Sequence, residues 1–276
     1  MLQVKDGLVD TTGMIDSQTM VAAAAALNVQ VTRDVPQFWN INATVSYLPD
    51  PKSIPQGVWP VQLVKSLPPP EGGFHQTKNH QPYAKVIATP GSNEWTIDAS
   101  HETVEMLIDP NGNRLQTSTA IGIVGGAVKD IVGKFEYLVE ACDPCEANNF
   151  AYPIDGIMVS DFLTPHYYDL ATTPGARYSF TGAIKTPREM LPGGYISYID
   201  PQSDEVQQIL WLGARPTVRN LGPVPPNMSL RVFVESETLR LVHKKRKTAS
   251  KNVAAARDKY RASLASAARA RAKHYV

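Results

Sequence analysis

The sequence predicts an α/β protein: a mixed sheet with helices over residues 1–150, a small β-rich lobe over 151–235, and a basic helix over 236–276. Three observations carry this prediction. Helical segments alternate with β-branched runs through the first half, the pattern of layered α/β folds. Short strand-like runs punctuated by Pro and Gly dominate from Ala151 onward. Charge then segregates: from His243 there are 11 Lys and Arg against Asp258 alone, a net +10, while the preceding residues hold 16 basic and 25 acidic groups, a net −9.

Taken in order, residues 17–27 form an Ala-rich helix with Ser17 in a capping position, because Ala loses the least on entering a helix. Segments near 29–33, 41–47, 59–66 and 83–88 are β-branched or aromatic and are bounded by Pro, Gly and Asn, which reads as strands. A helix opens at Asp98 or Ser100 and runs through Leu107, stopped by Asp109-Pro110 because proline cannot continue it. From Ala120 a Gly-rich start leads to a periodic segment (Val128, Ile131, Val132, Phe135, Leu138) that fits a second helix. Tyr152–Val159 carries Asp155-Gly156 between two apolar runs, a hairpin signal. Residues 177–234 read as short strands, and 236–276 as helix.

At 276 residues the chain can bury a substantial core, and 43% hydrophobic with 19% charged residues is ordinary globular composition. No apolar run approaches the roughly 18 residues of a membrane span, and no partner membrane is expected. The opening Met-Leu-Gln-Val-Lys-Asp-Gly lacks the apolar stretch of a secretory signal, so a cytoplasmic or virion location is expected. Two cysteines, Cys142 and Cys145, exclude a disulfide scaffold. Nucleophilic-serine chemistry has no Gly-x-Ser-x-Gly signature, and Gly122–Gly126 lacks the Lys-Ser/Thr of a phosphate loop.

The sharpest motif is His101-Glu102-Thr-Val-Glu105 on the Pro-terminated helix. Residues four apart lie one turn apart on one face, so His101 and Glu105 can grip one cation. Glu102, beside them, is placed to take a proton from water activated by that cation. Some 30 residues on, Glu140, Asp143 and Glu146 gather in Tyr137–Glu146.

In the pattern Ser100-His-Glu-x-x-Glu105-x-x-x-Asp109-Pro, followed by Glu140-x-x-Asp143 with an adjacent Cys, the chain resembles zincin-like proteins found in bacteria, phages, plants and fungi. The resemblance covers roughly residues 17–165. It implies that His101 and Glu105 are metal ligands, that Glu102 is the general base of a metal-dependent peptidase, and that Glu140 or Asp143 completes or supports the shell. It implies Zn²⁺. A carboxylate in place of a second imidazole, however, lowers Lewis acidity and favours harder ions such as Ca²⁺ or Mn²⁺. Many such proteins have no demonstrated activity, so a catalytically silent structural protein, such as a phage virion component, is the alternative.

Asp109 lies about 12 Å along an unbroken helix from His101, so it ligates only if the chain bends at Pro110; otherwise it stops the helix or orients His101. His166, in Thr164-Pro-His-Tyr-Tyr, is a candidate to stabilise an oxyanion. His75 and His80 sit in an expected polar loop, from which either could reach a cleft or remain a surface residue. Cys142-Asp-Pro-Cys145 has the spacing of a redox pair or half a four-thiolate site, or is simply two buried thiols. Residues 243–276 are suited to docking on an acidic protein partner or another copy, to binding nucleic-acid phosphates, or to solubilising the chain.

Overall fold

A computed structural model of the chain describes residues 3–68 and 72–237. Its first sheet comprises β1 (Val4–Asp10), β2 (Ala43–Tyr47), β3 (Val58–Val64), β4 (Gly73–Lys78) and β5 (Gln81–Ile87), in the order β2-β1-β3-β5-β4. β1 runs parallel to β2 and β3, β3 parallel to β5, and β4 closes the edge antiparallel to β5. α1 (Ser17–Val29) covers the sheet, with its start one residue earlier than the sequence suggested: Asp16 is the cap and accepts from the Thr19 amide at 2.9 Å.

Two expectations fail here for physical reasons. The segment at 29–33 is not a strand; the chain stays helical in a wider turn over Gln30–Asp34, because burying Val31 and Val35 against the core outweighs β-branched propensity. The expected polar loop at 72–80 is instead β4 and its turn, in which Asn79 and His80 take positive φ of 51° and 61°. Pairing of Lys78 with Gln81 leaves His80 at the exposed tip and His75 inside.

α2 (Glu94–Ile108) is longer than its motif and buried on nearly every side. Trp95, Ala99, Met106 and Leu107 pack into the core under the first sheet, while Val104 and Ile108 belong to a second core. A helix buried all round must carry its polar side chains into the interior. That places His101, Glu102 and Glu105 there.

The second helix expected within 120–138 is a long hairpin of β6 (Leu115–Val124) and β7 (Ala127–Leu138). Val124 pairs with Ala127 across Gly125-Gly126, whose φ of 62° and 82° are those of a tight two-residue hairpin turn. The helical spacing of apolar residues was misleading, since Val132 is fully exposed. β7 pairs with β10 (Tyr195–Asp200) through Tyr137–Tyr198 and Glu136–Ile199, and β11 (Glu205–Leu210) and β12 (Thr217–Gly222) extend the sheet in the order β12-β11-β10-β7-β6. This sheet therefore draws strands from both sides of residue 150, so the expected division there does not separate the two sheets.

The hairpin of β8 (Tyr152–Ile154) and β9 (Ile157–Val159) turns at Asp155-Gly156 as the sequence suggested. It lies along α2, where the Thr96 hydroxyl donates to the Met158 carbonyl at 2.9 Å. A helix, α3, begins at 230 and occupies 230–237 of the described residues; Leu230, Phe233 and Val234 pack on Leu138 and Val206. The basic segment 243–276, with every expectation placed on it, lies outside the described residues. Among the described residues no helix is long and apolar enough to cross a membrane.

Candidate metal centre

α2 presents His101 and Glu105 on one face, and the turn that follows β7 brings acidic groups to them. His101 Nε2 lies 3.2 Å from Glu105 Oε2 and 3.2 Å from Asp143 Oδ1. The other oxygen of Glu105 accepts from the Cys142 amide at 2.9 Å, which fixes the turn against the helix. Gly194 lets β10 approach this turn, because a Cβ there would sit 2.5 Å from the Asp143 carbonyl oxygen. Among the described residues there are four overlapping groups, within each of which the potential ligand atoms lie within 4.8 Å of one another: His101–Glu105–Cys142, His101–Asp143–Glu146, Glu105–Glu140–Asp143 and His75–Glu102–Glu105.

The centre is rich in carboxyl groups and poor in cations. Glu102, Glu105, Glu140, Asp143, Glu146 and Glu235 face one guanidinium, Arg231, and two imidazoles. Arg231 Nη1 donates to Glu105 at 2.6 Å and ion-pairs with Glu140, Nη2 donates to Glu102 at 3.2 Å, and Nε donates to Glu235 at 2.8 Å. Even so, one oxygen of each of two acids, Glu140 Oε1 and Asp143 Oδ2, is buried with neither a hydrogen bond nor an ion pair. Unpaired buried carboxylates are costly, and native proteins neutralise them with protons or cations.

The titration behaviour has the same cause. Burial alone would lower the His101 pKa, yet the charge of Glu105 and contact with Asp143 hold it well above the ordinary imidazole value. Burial favours the neutral acid at Glu105, but His101 and Arg231 hold it below the usual carboxylate range. Burial and then the Glu105 charge push Asp143 well up. Burial pushes Glu146 up to about 8 against the pull of His101. Burial, with neighbouring carboxylates adding, raises both Cys142 and Cys145; they are free, buried thiols rather than a disulfide.

Of the residues expected at the site, His101, Glu102, Glu105, Glu140 and Asp143 are brought together. Asp109 is not among these groups: at the end of α2 its side chain accepts from the Arg114 amide at 2.7 Å. Its carbonyl meets His75 Nε2 at 3.2 Å, so the histidine it positions is His75, not His101. His166 is half exposed and paired with Asp169 at 2.7 Å, on the turn Pro165–Tyr168, apart from the gathered ligands. His75, Glu146, Arg231 and Glu235 were not assigned from the sequence. Glu146 had a signal, its place in the acidic run after β7. Arg231 had none, since it meets Glu105 and Glu102 across 126 and 129 residues of chain.

Compared with known proteins, the chain matches no family model, no curated protein and no solved structure. The functional argument therefore rests on the geometry of this centre.

Proposed function

We propose that the chain is a zincin-like metal-binding protein that holds one divalent cation between His101, Asp143 and Glu146, with Glu105 beside them. The observation that carries this is a pair of buried carboxylate oxygens, Glu140 Oε1 and Asp143 Oδ2, that have neither a hydrogen bond nor an ion pair, on the two acids whose other oxygens meet Arg231 and His101. A divalent ion supplies further positive charge and satisfies these two oxygens. One imidazole and several carboxylates suit Mn²⁺ or Ca²⁺ as well as the Zn²⁺ implied by the resemblance. When bound, such an ion would act as a Lewis acid toward a carbonyl.

This reading favours a structural or binding protein over an active peptidase. The candidate base, Glu102, faces His75 at 3.3 Å and accepts from Arg231, so its oxygen is engaged by the protein itself. The +10 segment at 243–276 and the −9 remainder support assembly on protein, with another copy or a virion neighbour as partner. The peptidase reading retains one supporting observation, a carboxylate directly following a candidate ligand on the same buried helix. Elemental analysis of wild type beside His101→Ala tests the metal: one ion per chain is expected in the first and loss in the second, and equal content would overturn the assignment. Hydrolysis of a broad peptide library by the metal-loaded protein would restore the peptidase.

A further inference from the structure

Arg231 sits where a cation belongs. It is buried, and its guanidinium touches four carboxylates, Glu102, Glu105, Glu140 and Glu235, from a helix remote in sequence. One guanidinium for four carboxyl groups leaves the pocket short of cations, and Glu140, 5% exposed, meets it through Oε2 alone, its Oε1 being buried without a partner. Removing two of these contacts in thought, those to Glu102 and Glu105, leaves a triad with His75 whose ligand atoms lie within 4.8 Å.

His75 is prepared for such a role. Its Nε2 lies 3.2 Å from the Asp109 carbonyl, an atom that can only accept, so the proton is on Nε2. Nδ1 then faces Glu102 Oε2, 3.3 Å away, and Glu105 Oε2, 3.9 Å away. A lone pair facing two carboxylates is repulsive unless a proton or a cation lies between them. Metal-ligating histidines are oriented in this way, one ring nitrogen donating to a carbonyl while the other binds. By contrast, among the described residues Arg231 forms no ion pair with Asp143 or Glu146.

We propose that His75, Glu102 and Glu105 form a second divalent-cation site whose place is held in this structure by the guanidinium of Arg231. This extends the metal reading above from one position to two, with Glu105 between them. Glu102 is then a ligand rather than a proton acceptor, and α3 is the element that supplies the substitute charge. Gly112, at φ +63°, admits it: a Cβ there would lie 2.8 Å from Arg231 Cβ.

Mn²⁺ binding by titration calorimetry, with elemental analysis after desalting, tests this on the full chain. Arg231→Gln is expected to bind one more Mn²⁺ per chain than wild type, and adding His75→Ala to that variant is expected to remove the extra ion. The same count in Arg231→Gln and wild type overturns the proposal, as does an extra ion that survives His75→Ala. If wild type binds none while Arg231→Gln binds one that depends on His75, the second site stands and the His101 assignment falls. If Arg231→Gln is unfolded without metal, folding on addition of Mn²⁺ supports the proposal. If it stays unfolded with Mn²⁺, Arg231→Lys decides: its ammonium lacks the planar fork, so a second ion is expected at raised Mn²⁺ concentration, and its absence at saturation overturns the proposal.

Discussion

Replacing Asp143 by Asn isolates the charge at the centre while keeping size and shape. Asp143 is 1% exposed, with Oδ1 3.2 Å from His101 Nε2 and Oδ2 buried without a partner. A buried polar group left unsatisfied costs about 1–3 kcal/mol, and more when charged. The neutral amide is therefore expected to stabilise the metal-free protein by roughly 1–3 kcal/mol, even though His101 loses one of its two carboxylate neighbours. For a domain of this size each kcal/mol corresponds to roughly 2–4 °C in melting temperature, so the metal-free midpoint should rise by several degrees. With metal the order changes. An ion at 100 times its dissociation constant stabilises wild type by about 2.7 kcal/mol, and Asp143→Asn should lose most of that gain. Thermal unfolding with chelator and with Mn²⁺ reads both quantities. A lower midpoint for Asp143→Asn under chelation, or the same metal-induced shift in both proteins, would refute the reasoning that this carboxylate awaits a cation.

Two other substitutions probe how the fold carries the site. Gly194→Ala forces a Cβ to within 2.5 Å of the Asp143 carbonyl and 2.7 Å of the Pro144 carbonyl, both main chain, so overpacking of about 1–3 kcal/mol and weaker Mn²⁺ binding are expected; Gly213→Ala, with nothing within 4 Å, is the control that should change neither unfolding midpoint nor affinity. Asp6, buried in β1 with both oxygens unpartnered, has its pKa raised well above the ordinary value by burial. Its proton is favoured by folding, so its contribution is complete below the unfolded value of about 3.9 and is lost as pH rises toward the folded value. Asp6→Asn should therefore gain stability over wild type progressively as pH rises above the ordinary carboxylate range, measured as urea midpoints, and a difference that does not change with pH would show that the carboxyl is not desolvated.

The sequence by itself determined the elements whose signals are local. Alanine content set α1, β-branched runs set β2, β3 and β5, Asp109-Pro110 ended α2, and Asp155-Gly156 turned the β8–β9 hairpin. It also drew attention to His101, Glu102, Glu105, Glu140 and Asp143, because helical spacing and a short acidic run are visible without a fold. Tertiary structure decided the rest. Val31 went into a helix rather than a strand because the core offered it burial there, and β6–β7 became a hairpin because two glycines with positive φ outweighed a helical apolar spacing. His75 turned inward only because β4 pairs with β5 and α2 lies against it, while Asp109, expected near His101, turned to Arg114 and His75 instead. Arg231, which sets the electrostatics of the whole centre, reaches its partners across more than a hundred residues of chain. Local propensity acts over a few residues and leaves a mark in the sequence, whereas the desolvation and charge balance of a buried centre depend on groups that meet only once the chain has folded.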